Sequence, residues 1–175
     1  MRFVTGFQGP RKSENTGHNT VSQSEESNVS TEAANVGRLL AYKGDNIISV
    51  RPDDNLQMVV DLLREKRIGA LLVLSENGDL EGILSERDIV RKLSETPGKV
   101  LAQNVSALMT RKVQVCSPDD SLITVLRIMT EGRFRHMPVV ENGAIKGVIT
   151  IGDVVNFRLR ELEHEAVQLK QMIVG

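Results

Sequence analysis

Two stretches of this chain can be laid over each other, and that duplication limits the folds open to it more than any other feature. Pro52-Asp53-Asp54-Asn55-Leu56 falls on Pro118-Asp119-Asp120-Ser121-Leu122 at an offset of 66 residues. From 52–74 against 118–140 no gap is needed. Eight of those 23 positions are identical, at Pro, Asp, Asp, Leu, Val59/Val125, Glu65/Glu131, Arg67/Arg133 and Val73/Val139, which is too many in register for chance. A one-residue deletion then moves the offset to 65. Beyond it Gly78/Gly143, Gly82/Gly147, Asp88/Asp153 and Val90/Val155 match, with Ser85 over Thr150. The body is two copies of a supersecondary unit of about 60 residues, each of which needs its twin to cover an apolar face.

Each copy reads as β-α-β-β-α. A short strand comes first, Ile47–Val50 in one copy and Val113–Cys116 in the other. Pro-Asp-Asp then opens a helix, with Asp53 or Asp119 as the expected N-cap. Leu56, Val59, Val60 and Leu63 recur at i, i+3, i+4 and i+7, as do Leu122, Val125, Leu126 and Met129, giving each helix one buried stripe. Two apolar strands follow, 70–74 with 80–84 and 137–140 with 145–149, joined through Asn77-Gly78 and Asn142-Gly143, the strongest short hairpin signal. A second helix starts at Glu86 and at Ile151. The expected fold class is α/β in the α+β sense: two such repeats, packed pseudo-symmetrically, with a C-terminal helix. The chain divides into a tail (1–34), a first repeat (35–98), a second repeat (99–158) and an amphipathic C-terminal helix (159–175).

Composition narrows the function. Aromatic residues are 3% of the chain and Trp is absent, so the core is aliphatic and base stacking on aromatics is not available. A net charge of −1 lacks the footprint of a nucleic-acid binder. The one cysteine, Cys116, excludes an intrachain disulfide and a Cys-rich zinc site. It reads as a buried structural thiol. The three histidines are too dispersed for a metal centre, and no apolar run approaches a membrane span. No nucleophile–base pair, metal cluster or phosphate loop points to catalysis, so no catalytic residue and no metal are expected.

The strings that carry the repeat also resemble a known family. Arg67-Ile68-Gly69-Ala70-Leu71-Leu72-Val73, Gly82-Ile83-Leu84-Ser85-Glu86-Arg87-Asp88, Arg135-His136-Met137-Pro138-Val139-Val140 and Gly147-Val148-Ile149-Thr150-Ile151-Gly152-Asp153 are similar to the pattern of the CBS-domain pair, or Bateman module. The resemblance covers about 36–158 and is closest to the small stand-alone CBS-pair proteins. It implies two clefts between the repeats for an adenosine-containing ligand: AMP first, with ADP, ATP, NAD(H) and S-adenosylmethionine as the other members of the class. It further implies that the Asp of each Ser/Thr-x-x-Asp holds ribose hydroxyls while the Ser or Thr meets phosphate.

Residue by residue, the cleft of the second repeat is expected to use Thr150, Asp153, Arg133, Phe134, Arg135, His136, Met137, Pro138, Thr110, Lys112 and Val113. The other is expected to use Ser85, Arg87, Asp88, Ile68, Gly69, Ala70, Lys43, Asn46 and Ile47. Because the basic cluster stands only in the second repeat, the cleft with Asp153 is expected to prefer phosphorylated ligands. Helix starts favour phosphate in any case. Ser85-x-x-Asp88 and Thr150-x-x-Asp153 equally fit N-capping boxes, and the two roles are compatible. Arg133–His136 equally fit a solvated basic turn, and Lys43, Asn46, Thr110 and Lys112 plain surface loops.

Residues 1–34 are rich in Ser, Asn, Thr, Gly and Glu with no hydrophobic period, and read as a disordered tail. Arg2, Arg11 and Lys12 precede the first acid, Glu14, so an organelle stands beside the cytoplasm as an expected location. Val155, Leu159, Leu162, Ala166, Leu169 and Ile173 are spaced 4, 3, 4, 3, 4, a heptad seam that either lies back on its own sheet or joins two chains. The family resemblance favours a homodimer. The functional expectation is a non-enzymatic, energy-sensing module that acts on a separate, unidentified effector protein, without nucleic acid or membrane. The competing expectation is a scaffold with degenerate clefts.

Overall fold

The structure, a computed structural model, describes residues 34–174 apart from residue 97. The tail expected over 1–34 lies outside the described residues, except Ala34. Ala34 is buried, and its carbonyl accepts from the Leu122 amide at 3.0 Å, so it belongs to the core.

The elements run α1 (Val36–Lys43), β1 (Ser49–Val50), α2 (Leu56–Lys66), β2 (Ala70–Leu74), β3 (Leu80–Ser85), α3 (Glu86–Glu95), a single 3-10 turn (Val105–Ala107), α4 (Leu122–Glu131), β4 (His136–Glu141), β5 (Ala144–Thr150) and α5 (Ile151–Val174). In the first repeat β1 pairs parallel with β2, and β2 antiparallel with β3. In the second, β4 and β5 pair antiparallel. The strand expected over 113–116 shrinks to one parallel bridge, Cys116 with Val139, which is the counterpart of Val50 with Val73. The C-terminal helix is not a separate element: α5 runs unbroken for 24 residues from the capping residue of the second repeat.

The helices after Pro-Asp-Asp begin later than the motif suggests. Asn55 and Ser121 are the N-caps, and Asn55 accepts from the Gln57 amide at 2.7 Å. The second aspartate of each pair instead closes the turn before the helix. Asp54 accepts from the Arg51 amide at 2.6 Å and Asp120 from the Ser117 amide at 2.8 Å, a local competition typical of Asp. The two Asn-Gly pairs also differ. Asn142 and Gly143 both have positive φ (52° and 78°), as a two-residue type I′ hairpin demands. In the first repeat only Gly78 does, inside the longer loop that accounts for the extra residue.

The chief architectural feature is an exchange. The segment that precedes each repeat packs on the other one. Ala34, Val36 and Leu39 sit in one core with Cys116, Leu122, Val125, Met129, Met137, Val139, Ile149 and Val154. Val100, Val105 and Met109 sit in the other with Val50, Leu56, Val59, Leu63, Leu71, Val73, Leu84 and Ile89. The backbone bonds that fix the exchange come in matched pairs. Val36 N–H donates to Asp120 O (3.0 Å) and Val105 N–H to Asp54 O (2.9 Å). Gly37 N–H donates to Pro118 O and Ser106 N–H to Pro52 O, both at 2.8 Å. The exchange explains one glycine pair. A Cβ on Gly82 would stand 2.9 Å from Met109 Sδ, and one on Gly147 would stand 3.0 Å from Leu40 Cδ2. Each glycine lets the other repeat's leading segment lie flat on the strand.

Candidate functional site

Ser85 and Thr150 each end a strand and cap the next helix. The Asp88 amide donates to Ser85 Oγ at 3.4 Å, while Asp88 Oδ2 accepts from the Ser85 amide (3.1 Å) and hydroxyl (2.6 Å). The Asp153 amide donates to Thr150 Oγ1 at 3.1 Å, and the Thr150 amide to Asp153 Oδ2 at 2.8 Å. Both are reciprocal capping boxes, so the capping reading holds at both positions and fixes each carboxylate at a helix start. Their surroundings differ sharply.

Asp88 faces a cavity of about 480 Å³, within the usual range for small-molecule sites. Its walls join Ser85, Arg87 and Arg91 of the first repeat to Thr110, Lys112 and Val113 of the linking segment and to Arg133, Phe134, Arg135 and His136 of the second repeat. Arg87 Nη1 donates to Arg133 O at 3.0 Å across the repeats, and Arg91 Nη2 pairs with Asp88 Oδ1 at 3.2 Å. Five cations and one carboxylate line the space, which makes it an anion-attracting cleft that retains one acceptor for hydroxyls.

This is a correction to the grouping expected from sequence. The basic cluster and the 110–113 segment line the cavity of Asp88, the carboxylate of the other repeat. The exchange is the physical reason. The linking segment lies on the first repeat, where Thr110 pairs antiparallel with Ile83, N–H to O at 2.9 and 3.0 Å in the two directions. Lys43, expected beside Asp88, is by the same logic delivered to the second repeat. Its ammonium donates to Asp153 Oδ2 at 2.5 Å and to Val148 O at 2.9 Å. Burial alone would raise the Asp153 carboxyl, but hydrogen bonds from Lys43 and Thr150 and the Lys43 charge outweigh it and hold the group below the usual carboxylate range.

Other expected residues stand elsewhere. Met137 and Pro138 are buried inside β4 and carry core, not cavity. Ile68 lines an apolar groove between α2 and α3 with Val60, Leu63, Val90 and Leu93. Ala70 pairs with Ser85 in the β2–β3 ladder. Asn46 and Ile47 lie between α1 and β1, outside the cavity wall. Gly69 admits His136: a Cβ there would stand 3.1 Å from its ring. Burial and then the Lys43 charge lower the His136 pKa against the pull of Glu86 and Asp153, so the ring is neutral near pH 7. Arg91 was not expected, although its place three residues after Asp88 on a helix is a readable spacing.

The CBS-domain pattern matches residues 42–95 and 105–160. The chain belongs to the CBS-domain family. It carries two CBS domains in tandem, and its fold matches solved CBS pairs. A CBS-domain containing protein from Agrobacterium tumefaciens is 39% identical, with 71% of this chain and 99% of that one covered at a TM-score of 0.70. CBSX2, solved in complex with AMP, is 26% identical, with 73% and 97% covered at a TM-score of 0.61. The mitochondrial CBS domain-containing protein CBSX3 of Arabidopsis thaliana is 31% identical over 127 residues, 70% of this chain and 62% of that protein. This CBS pair spans 35% of the length of another curated relative, an uncharacterized protein of Thermofilum pendens. Among the described residues no helix is long and apolar enough to cross a membrane.

Proposed function

We propose that this CBS pair is a regulatory module that binds an adenosine phosphate in the cleft of Asp88. The observation that carries the reading is the cavity that brings Asp88 and Ser85 together with Arg87, Lys112, Arg133 and Arg135 from three separate segments. The Asp88 carboxylate receives the vicinal hydroxyls of the ribose, taking the place of its exposed bond to Arg91. The arginines and the α3 start receive the phosphate. Aliphatic side chains such as Ile83 and Val113 flank the base. The excess of cations selects AMP, ADP, ATP or NAD(H) over S-adenosylmethionine, whose sulfonium and ammonium would be repelled. The AMP bound in the related CBSX2 supports the ligand class.

Arg87 reaches across to Arg133 O, so a ligand between them biases how the two repeats pack, and the size of that bias is its differential affinity for the two packings. The output passes to a separate effector protein. Val155, Leu159, Leu162, Leu169 and Ile173 of the expected seam are exposed on α5, which supports a homodimer over a helix laid back on its own sheet.

Calorimetry against AMP, ADP, ATP, NAD, NADH and S-adenosylmethionine tests the reading, with light scattering on the same samples. The expected result is binding of the phosphorylated ligands by a dimer. Arg135→Ala should weaken AMP roughly 10- to 100-fold, the worth of a charged hydrogen bond, and leave adenosine nearly unchanged. Binding of S-adenosylmethionine alone, or of none of the six, would sink the proposal.

A further inference from the structure

The two clefts are built from matched residues and yet differ at one carbonyl. In the first repeat Ile83 O accepts from the Thr110 backbone amide at 2.9 Å, so main chain closes the strand edge and the Thr110 and Lys112 side chains stand at the cavity. The counterpart of Ile83 is Val148. Its carbonyl is met by a side chain, the Lys43 ammonium at 2.9 Å, which also holds Asp153 at 2.5 Å.

The position of Lys43 is built, not incidental. The leading segment of the first repeat is a full helix that ends on Lys43, where its partner segment makes only a 3-10 turn. That helix lies antiparallel along α5. Arg38 Nη1 pairs with Glu161 Oε1 at 3.2 Å, the Tyr42 and Phe157 rings meet edge-on at 6.1 Å, and the Arg160 guanidinium sits 4.9 Å from the Tyr42 ring centre. These contacts aim Lys43 at the Asp153 carboxylate. Asp153 Oδ2 then accepts from both Lys43 and the Thr150 amide, so a ribose that approaches this carboxylate meets a tethered ammonium already bonded to it.

We infer that Lys43 is a tethered cation that fills the ribose-reading end of the Asp153 cleft, so that each chain takes one adenosine phosphate, at Asp88, and keeps its second cleft closed. The inference rests on the nucleotide reading above. It names Lys43 as the residue that sets the stoichiometry. A ligand opens the second cleft only by drawing the ammonium away from Asp153, and doing so releases the end of α1 from the second repeat.

Equilibrium dialysis of AMP against the full chain tests this. Wild type should bind one AMP per chain, and Asp88→Ala none in the same concentration range. Lys43→Met keeps the aliphatic stem without the charge and should bind two. The double variant Lys43→Met/Asp88→Ala should regain one site, at least tenfold tighter than any residual binding in Asp88→Ala, and lose it again with Asp153→Ala. Two sites in wild type, or no more sites in Lys43→Met than in wild type, overturns the inference. A second measurement needs no ligand: carbon NMR of the Asp153 carboxyl should titrate at higher pH in Lys43→Met than in wild type, and an unmoved midpoint shows that the contact is absent. If wild type binds no AMP but Lys43→Met binds one equivalent that Asp153→Ala removes, the Asp88 reading fails and the gating by Lys43 stands.

Discussion

The two repeats share a frame down to individual hydrogen bonds and differ where a ligand would meet them. Val36 and Val105 are buried alike, and Gly147 and Gly82 clear the way for Leu40 and Met109 alike. Past those positions the leading segments part. One folds as α1 and ends in a lysine whose charge neutralises Asp153. The other makes a 3-10 turn, and its Thr110 pairs with the strand edge, which leaves a cavity over Asp88. A difference of a few residues in the connecting segment has thus separated two sites whose key residues, Ser85/Asp88 and Thr150/Asp153, look equivalent. Duplicated binding residues do not make duplicated sites when the walls come from segments that were free to diverge.

The largest test of this comparison is the exchange itself. Leu39 precedes the first repeat in sequence but is buried in the core of the second. Leu39→Ala should cost about 2–5 kcal/mol, as for other buried leucines. Native-state hydrogen exchange should place the loss in β4 and β5, while the amides of β2 and β3 keep more of their protection. Val105→Ala should do the reverse, since Val105 sits in the core of the first repeat. If each substitution loosened the repeat it adjoins in sequence, the exchanged arrangement would be wrong.

The repeat, the β-α-β-β-α order and the hairpins could be read from the chain because each rests on local signals: a period of 3.6, a period of 2, an Asn-Gly turn. The composition of the clefts could not, because pairing a leading segment with the opposite repeat is a long-range choice that leaves no local period. One trace of it was present. Asn35-Val36 and Asn104-Val105 repeat at an offset of 69, outside the gapless block, and mark the two exchanged entries. The N-caps depart from the Pro-Asp-Asp pattern for a nearer reason. Asp54 and Asp120 each accept a backbone amide of the preceding turn, and the N-caps fall on Asn55 and Ser121, two residues beyond the expected Asp53 and Asp119. Arg133, Arg135 and His136 line one cavity together, at Asp88 and not at the Asp153 with which the sequence groups them.

A middle-sized effect should separate the two carboxylates by their cations. The Lys43 and Asp153 side chains are 35% and 25% exposed, whereas that of Arg91, the partner of Asp88, is 68% exposed. Lys43→Met should destabilise the fold on the order of 1–2 kcal/mol at neutral pH, the value of a charged hydrogen bond discounted for partial exposure. Arg91→Met should cost under about 0.5 kcal/mol. The sign with pH follows from the depressed Asp153 carboxyl. An unfolded carboxyl titrates near its ordinary value of 3.8, and the folded one lower. The stability from this pair is therefore fully present above 3.8 and is lost as pH falls through the folded value. Melting temperatures of wild type and Lys43→Met should differ by a constant amount near neutrality and converge in acid. A gap that persisted below the folded titration would assign the effect to packing of the lysine stem.

The smallest effect concerns the strand position that makes the repeats most alike. Cys116 stands where the first repeat has Val50, each bridged to the matching valine of the next strand, Val139 and Val73. Among the described residues the thiol's hydrogen-bond partner is Pro138 O, at 3.7 Å. Burial, helped by the charge of Asp120, raises its pKa to about 12, so almost no thiolate exists at pH 8 and it has none of the activation a reactive cysteine needs. If the site is simply the second copy of a valine pocket, Cys116→Val should change stability by less than about 1 kcal/mol, inside the range for near-isosteric core exchanges. It should also leave AMP binding untouched. In wild type, a thiol reagent at pH 8 should modify Cys116 only at the rate of unfolding. Fast modification of the native protein, or loss of AMP binding in Cys116→Val, would mean that this strand is open to solvent or coupled to the cleft, and the equivalence of the two cores would end there.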